Sequence, residues 1–465
     1  MRNMNIWAIA EAIGGKLENA AKCDMTKEAT SVVIDSRLIV EGGIFVAIKG
    51  ERVDGHSFIQ QVFEEGALAV ICEKIPPKVK GPCIVVEDSL AAIRRLAEYY
   101  MDQLSLKVVG IVGSVGKTST KELVASVLAS HYEVLHTEGN LNNEIGVPLT
   151  VFKIRDAHEI AVIEMGISDF GEMDRLGAIV KPDIVVFTNI GPCHLENLND
   201  LEGVLRAKTE VIPHMDPSGT LVLNGQDEML GRISINTSGS RKIIRYGKES
   251  KRDDVYASSI ENLGLEGSKF IANFPDGSHY EMTVPLPGYH MVDNAVAAAA
   301  VGFLLGLNLE EIRRGMMSVE QLSGRGNIIH TEKYTIVDDC YNANPKSMFA
   351  AIDTLGYALG RKVAILGDMF ELGEESEKLH GEVGDYAAGH GVDSLIFVGS
   401  AAKYMYERAR LHEGVEIRYY PNRELLIAAL SDETKEIIKP EDTILVKASH
   451  GMGFSEVVEY LRNRE

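Results

Sequence analysis

The sequence predicts an α/β protein of three domains, and three observations carry that prediction. The chain has 465 residues, too many for one hydrophobic core. Short apolar runs alternate with helical stretches in two separate series, the pattern of parallel sheets covered by crossover helices. Residues 106–123 read as a buried strand, a glycine loop and a helix start.

Taken in order, residues 1–104 carry short apolar strands at 43–48, 67–72 and 83–86 and a helix at 90–100, which makes a small α/β domain. Residues 105–318 hold strands at 108–112, 160–164, 184–188 and 220–223, a central domain with a mainly parallel sheet. After Gln321-Leu-Ser-Gly-Arg325 a fresh alternation begins, with strands at 335–337, 362–366, 395–398 and 444–446. Residues 319–465 are therefore expected to form a Rossmann-like, doubly wound α/β domain.

Composition narrows the partners. Hydrophobic residues make 45% and charged residues 25% of the chain, as in an ordinary globular protein. The balance of 47 basic against 68 acidic residues, a net charge of −21, disfavours nonspecific binding to nucleic acid or to anionic membranes. An anionic substrate must be held by local basic groups and helix N-termini. The five cysteines, Cys23, Cys72, Cys83, Cys193 and Cys340, form no CxxC pair and no metal spacing, so reduced thiols in a cytoplasmic protein are expected. The longest apolar run, residues 295–307, is too short to span a bilayer, and the amino terminus has no secretory signature. A monomer without membrane insertion is the expectation.

The glycine loop is the sharpest motif. In Gly113-Ser-Val-Gly-Lys-Thr118 the glycines let the backbone N–H groups turn toward anionic oxygens. Lys117 is placed to neutralise the β- and γ-phosphates of ATP, and Thr118 to offer its hydroxyl to Mg²⁺. Position 111, where the commoner phosphate loop has an earlier glycine, is Ile111. Glu164 ends a buried strand, the position from which an acid reaches Mg²⁺ in phosphate-loop proteins. His194 follows the next such strand and is a metal-ligand candidate at the same sheet edge.

Lys208 admits two readings. It falls on the apolar stripe of Leu201, Val204, Leu205, Val211 and Ile212, and the helix pattern alone favours a lysine that snorkels its ammonium to water. The alternative is a desolvated amine of lowered pKa, able to take up CO₂ as a carbamate and become an anionic oxygen ligand. In the third domain polar and glycine residues follow every strand: Asp338-Asp-Cys-Tyr-Asn-Ala-Asn-Pro345, Gly367-Asp-Met369, Gly399-Ser400 and Lys447-Ala-Ser-His450. Ligands in open parallel sheets sit at that edge. Asn344 is expected to cap a helix that has Pro345 at its first position.

Together with Gly139-Asn-Leu-Asn-Asn-Glu-Ile-Gly-Val-Pro148, Glu164-Met-Gly166, Asn189-Ile-Gly-Pro-Cys-His194, Arg206-Ala-Lys208 and Gly324-Arg325, these motifs make the chain resemble the Mur ligases of peptidoglycan synthesis over essentially its whole length. Asp35-Ser-Arg37, Phe45-Val-Ala-Ile-Lys-Gly50, the Tyr341-Asn-Ala-Asn-Pro345 run and Leu366-Gly-Asp-Met-Phe-Glu-Leu-Gly373 look like the branch that adds D-alanyl-D-alanine. The resemblance implies an ATP-dependent amide ligase. It would join the dipeptide to the terminal carboxylate of UDP-N-acetylmuramoyl-tripeptide through an acyl phosphate, in the cytoplasm.

By the same resemblance residues 1–104 bind the UDP-substrate, 105–318 bind ATP, and 319–465 bind the dipeptide and close on ATP. Lys117 and two Mg²⁺ would act on the transferring phosphoryl group, with Thr118, Glu164, His194 and a carbamylated Lys208 as metal ligands. Gly113, Ser114, Gly116 and Ser119 belong to the nucleotide loop; Asn294 would contact adenine, and Arg325 and Asp339 the nucleotide from the third domain. Ser36, Arg37 and Lys49 at the uridine end, and Asn140, Asn143, Tyr341, Asn342 and Asn344, are the implied substrate residues. Two positions depart from the family pattern: Met291 stands where asparagine is common, and His450 where arginine is expected.

The alternatives are a sibling ligase that adds one amino acid, a folylpolyglutamate-synthetase-like ligase, and a phosphate-loop switch. The first would carry Asp-Asn-Pro-Arg, which is absent. The second begins close to its phosphate loop, whereas roughly a hundred residues precede Gly113 here. The third needs no second domain with its own row of polar strand ends.

Overall fold

The computed structural model describes residues 1–464 apart from 21–23, 51–52, 235–238, 240 and 249–250. Cys23 therefore lies outside the described residues; Cys72, Cys83, Cys193 and Cys340 are free thiols. No helix among the described residues is long and apolar enough to cross a membrane.

Three sheets follow one another along the chain, matching the three-domain α/β architecture. The first has five strands in the spatial order Lys16–Glu18, Cys83–Val85, Ala69–Cys72, Ile44–Val46 and Val32–Val33; only the Lys16–Glu18 edge is antiparallel. The last has six, ordered Asn327–His330, Thr335–Asp338, Thr443–Lys447, Lys362–Gly367, Ser394–Val398 and Glu416–Tyr420, parallel beyond its first hairpin.

The central sheet positions the site. Its nine strands run His279–Val284, Ser268–Asn273, Val255–Asn262, Lys242–Lys248, Thr220–Asn224, Ile184–Phe187, Lys107–Val112, Ile160–Glu164 and Val134–His136. Lys107–Val112 lies between Ile160–Glu164 and Ile184–Phe187, parallel to both. All three are nearly continuous apolar runs because helices cover both faces, and their carboxyl ends place residues 113–118, 164–168 and 188–194 side by side.

The antiparallel extension from Val255 to Val284 goes beyond the sequence expectation. Its strands bury alternate residues, as in Ser268–Asn273, where Ser268, Phe270 and Ala272 are buried and their neighbours half-exposed. Such edge strands lack the continuous apolar run that marks an interior parallel strand.

Candidate active site

The phosphate loop is built by the three adjacent strand ends. A Cβ on Gly113 would lie 1.9 Å from Thr188 Oγ1, so no side chain fits there. Gly116 takes a left-handed conformation, φ +80°, and hands the chain to the helix Lys117–Ala129. The loop is held by the next strand end: Val115 N donates to Asn189 Oδ1 at 3.1 Å, Thr188 Oγ1 donates to Val115 O at 2.6 Å, and Ser114 Oγ donates to Gly191 O at 3.0 Å. Lys117 Nζ lies 3.0 Å from Gly113 O, folded along the loop.

Glu164 is 1% exposed and fully engaged. Its Oε2 accepts from Thr118 Oγ1 at 2.9 Å and its Oε1 from Asn142 Nδ2 at 2.7 Å, while its backbone N–H donates to Thr137 Oγ1 at 3.0 Å. Asn142 was not among the expected residues. In the 139–148 run the expectation falls on its neighbours; all three asparagines line the cleft, Asn142 also meeting Glu164 and Asn143 Oδ1 accepting the N–H groups of Ile145 and Gly146.

Thr118 and Glu164 open into a cleft of about 400 Å³ between the central and C-terminal domains. Ser114, Gly116, Lys117, Ser119, His194 and Asn294 line it from the central side; Arg325, Asp339, Tyr341, Asn342 and Asn344 line it from the other. Gly113 lies behind the loop rather than on the cleft wall. The Arg325 guanidinium carbon sits 4.0 Å from the centroid of the Tyr341 ring, a cation–π contact that orients the side chain. Lys447 Nζ donates to Asp339 Oδ2 at 2.6 Å and to Asn342 O at 3.1 Å. Burial pushes the Asp339 carboxyl up, while Lys447 and Arg325 pull it down. Asn344 caps the helix Pro345–Gly356 as expected, through a reciprocal pair with Ser347.

Beside Asn142, the cleft is lined by two further residues not named as site residues from the sequence: Lys447, placed there only among the polar strand ends, and His290. Desolvation, with Lys248 and Lys447 nearby, pushes the His290 ring down to about 4, so it is a neutral imidazole at pH 7. The two departures from the family pattern find neighbours. Met291 Sδ accepts from Asn294 Nδ2 at 3.4 Å, and the His450 ring lies 5.3 Å from that of Tyr341.

Lys208 corrects the helix-based reading. On the helix Leu201–Thr209 it is 1% exposed, so its ammonium does not snorkel to water. Desolvation lowers its pKa from 10.5 to about 8, with Lys117 adding to the effect and Cys193 opposing it. The helix is buried through Val204, Leu205 and Ala207 in a core shared with Ile190 and Leu198, which a one-helix pattern does not reveal. Leu201, placed on the same stripe, is 40% exposed.

Ser36, Arg37 and Lys49 lie apart from this cleft, in the N-terminal domain. Ser36 is buried; Arg37 is exposed and paired with Asp35 at 2.6 Å, which holds that carboxyl down at about 2. Lys49 pairs through its backbone with Asp54 in an isolated antiparallel bridge.

A phosphate loop that faces a second parallel α/β domain across a polar cleft defines a class: multidomain proteins that bring a nucleoside triphosphate to another substrate. The chain belongs to the Mur ligase family. Residues 28–101 match the family's catalytic-domain model, 111–302 the Mur ligase middle domain and 324–450 the glutamate ligase domain. It is 36% identical over 461 residues, 97% of each chain, to the UDP-N-acetylmuramoyl-tripeptide--D-alanyl-D-alanine ligase of Bacillus subtilis. A crystal structure of MurF from Acinetobacter baumannii superposes with a TM-score of 0.90 at 31% identity, covering 99% of both chains. MurF ligase from Thermotoga maritima, solved in complex with ADP, gives 0.80 at 28% identity over 93% of this chain and 97% of that one.

Proposed function

We propose that this protein is the ATP-dependent ligase that joins D-alanyl-D-alanine to UDP-N-acetylmuramoyl-tripeptide. The observation that carries the reading is the shared cleft, in which the phosphate loop and Glu164 face Arg325, Asp339 and Lys447 of the C-terminal domain. Full-length likeness to ligases of that name supports the substrates. In this reading residues 1–104 hold the UDP end through Ser36, Arg37 and Lys49, residues 105–318 hold ATP, and residues 319–465 hold the dipeptide. The enzyme acts as a monomer in the cytoplasm.

The reaction proceeds in two displacements. The tripeptide's terminal carboxylate oxygen attacks the γ-phosphorus of ATP, and the bond to the β-phosphate oxygen breaks, giving an acyl phosphate and ADP. The dipeptide amine then attacks the acyl carbon; the tetrahedral intermediate loses a proton and expels inorganic phosphate, leaving the amide. Lys117 and the N-terminus of the helix Lys117–Ala129 offset charge on the phosphoryl oxygens. Asn294 holds the adenine side, and Arg325 and Asp339 meet the nucleotide from the closing domain.

The donor set fits magnesium. Among the described residues no group of three or more His, Cys, Asp or Glu side chains forms a protein-only cage. Mg²⁺ favours a few protein oxygens completed by phosphate and water, and Thr118 Oγ1 lies 2.9 Å from Glu164 Oε2 at the loop. Thr118, Glu164, His194 and a carbamylated Lys208 would hold two ions, which when bound supply neutralising charge and align the phosphates.

Phosphate release measured with UDP-N-acetylmuramoyl-tripeptide and a panel of amines tests the assignment. D-Ala-D-Ala alone should support rapid turnover; preference for a single amino acid would point to a sibling ligase, and release indifferent to any amine to a switch. Arg325→Ala and Asp339→Ala should each raise the KM for ATP about ten-fold, because both act from the closing domain. Unchanged ATP kinetics in both variants would remove the C-terminal domain from the nucleotide site.

A further inference from the structure

The loop that follows the strand Lys362–Gly367 reaches the central domain at Glu371, a residue to which the reaction as drawn assigns no part. Its Oε2 lies 2.8 Å from His194 Nδ1, so the pair joins the C-terminal domain to the strand-end loop beside the phosphate loop. Both residues hold left-handed backbone conformations that side chains rarely adopt, φ 61° for Glu371 and 50° for His194. Such outliers persist only where the surroundings over-determine them.

The surroundings here are specific. Asp368 Oδ1 accepts from Ala402 N at 2.6 Å, and its Oδ2 from Ser400 N at 3.1 Å. Met369 N donates to His380 Nε2 and Phe370 N to Ser449 Oγ, each at 2.9 Å, and Ser449 N donates to Asp368 O at 3.0 Å. The loop is thus fastened to the ends of two neighbouring strands of the C-terminal sheet, Ser394–Val398 and Thr443–Lys447, and to the helix Ser376–Gly389. On the other side Gly373 rests against the central domain: a Cβ there would lie 3.2 Å from Glu196 Cγ. Glu371 therefore moves with the C-terminal domain as a rigid part, and meets His194 only when that domain is docked.

A histidine that ligates a metal through one ring nitrogen generally donates its other N–H to a carboxylate, which fixes the tautomer and the ring plane. A neutral ring that donates Nδ1–H to Glu371 leaves the lone pair on Nε2. We propose that Glu371 is a cross-domain positioning residue: docking of the C-terminal domain brings its carboxylate to His194 Nδ1 and sets the ring to ligate through Nε2. The inference rests on the reading of His194 as a magnesium ligand. It couples the strand ends that would receive the amine to the charge around the phosphates, so that metal coordination is complete only when the domain carrying the second substrate is in place. The rival is a solvent-facing ion pair of little consequence, since the Glu371 side chain is 63% exposed.

The test is binding of Mn²⁺, as a paramagnetic stand-in for Mg²⁺, to the full-length protein with saturating ADP. Wild type, His194→Ala, Glu371→Ala, Glu371→Gln and the double alanine variant are compared, with thermal unfolding as the check on folding. Glu371→Ala should weaken Mn²⁺ binding about ten-fold. Glu371→Gln, whose amide oxygen still accepts from Nδ1–H, should recover most of that loss and keeps the test decisive if the alanine variant folds poorly. The double variant should bind no more weakly than His194→Ala. Wild-type binding by a folded Glu371→Ala protein alongside weakened His194→Ala, or additive losses in the double variant, would overturn the inference alone. Wild-type binding by His194→Ala would remove the ligand reading beneath it and the inference with it.

Discussion

Lys117→Ala abolishes ligation, lowering kcat by about a hundred- to a thousand-fold, while the protein remains folded. The expectation follows from where the side chain lies. Lys117 is the first residue of its helix and lines the cleft, and among the described residues its Nζ donates to the loop carbonyls of Gly113 and Ser114. Little packing is lost with it. In the reaction it is the loop's point charge on the phosphates, and its contribution grows as negative charge shifts during phosphoryl transfer. Thermal unfolding should therefore be near wild type, and the loss should appear in single-turnover formation of ADP. Near-normal turnover would remove the nucleotide assignment from this loop.

Lys208→Ala produces the second large loss, about a hundred-fold or more, by a different route. The side chain is buried and desolvated, an arrangement that costs stability as long as the amine stays charged. Conversion to a carbamate turns the same atom into an anionic oxygen carrier, and removal then leaves a gap of carboxylate size. Acetate or formate should restore part of the activity, with chloride at equal ionic strength as the control. Wild-type-like activity without additive would exclude the carbamate.

The pH dependence has a definite sign. The folded pKa of about 8 lies below the ordinary 10.5, so between these values the unfolded chain binds more protons and this group's contribution makes stability rise with pH. Its destabilising effect is fully present below about pH 8. Carbamate formation needs the neutral amine, so activity should fall as pH drops through 8 and recover in part with added bicarbonate. A profile flat from pH 7 to 9 and indifferent to bicarbonate would contradict this.

Legibility in the sequence divided along physical lines. Interior strands such as Lys107–Val112 and Lys362–Gly367 announce themselves because burial on both faces demands unbroken apolar runs. Glu416–Tyr420 and the antiparallel edge from Val255 to Val284 did not, since the first is half-exposed along its whole length, the others at every second residue or more, and polar residues interrupt the run. The phosphate loop is local in sequence, and so Lys117 and Thr118 were readable at sight. Asn142, His290, Lys447 and Glu371 reach the cleft or its rim from separate elements, and only the sheet order brings them together. Lys208 is the sharpest case: its own helix argued for a solvated ammonium, and the elements that pack over it decide otherwise.

The central claim is that ATP activates a carboxylate for attack by D-Ala-D-Ala, and the most direct measurement follows the oxygen. UDP-N-acetylmuramoyl-tripeptide labelled with ¹⁸O in its terminal carboxylate is turned over with ATP and D-Ala-D-Ala, and both phosphate and product are weighed by mass spectrometry. One labelled oxygen should appear in each phosphate, with the product heavier by one dipeptide less water. Unlabelled phosphate, or label transferred without a dipeptide in the product, would contradict the account.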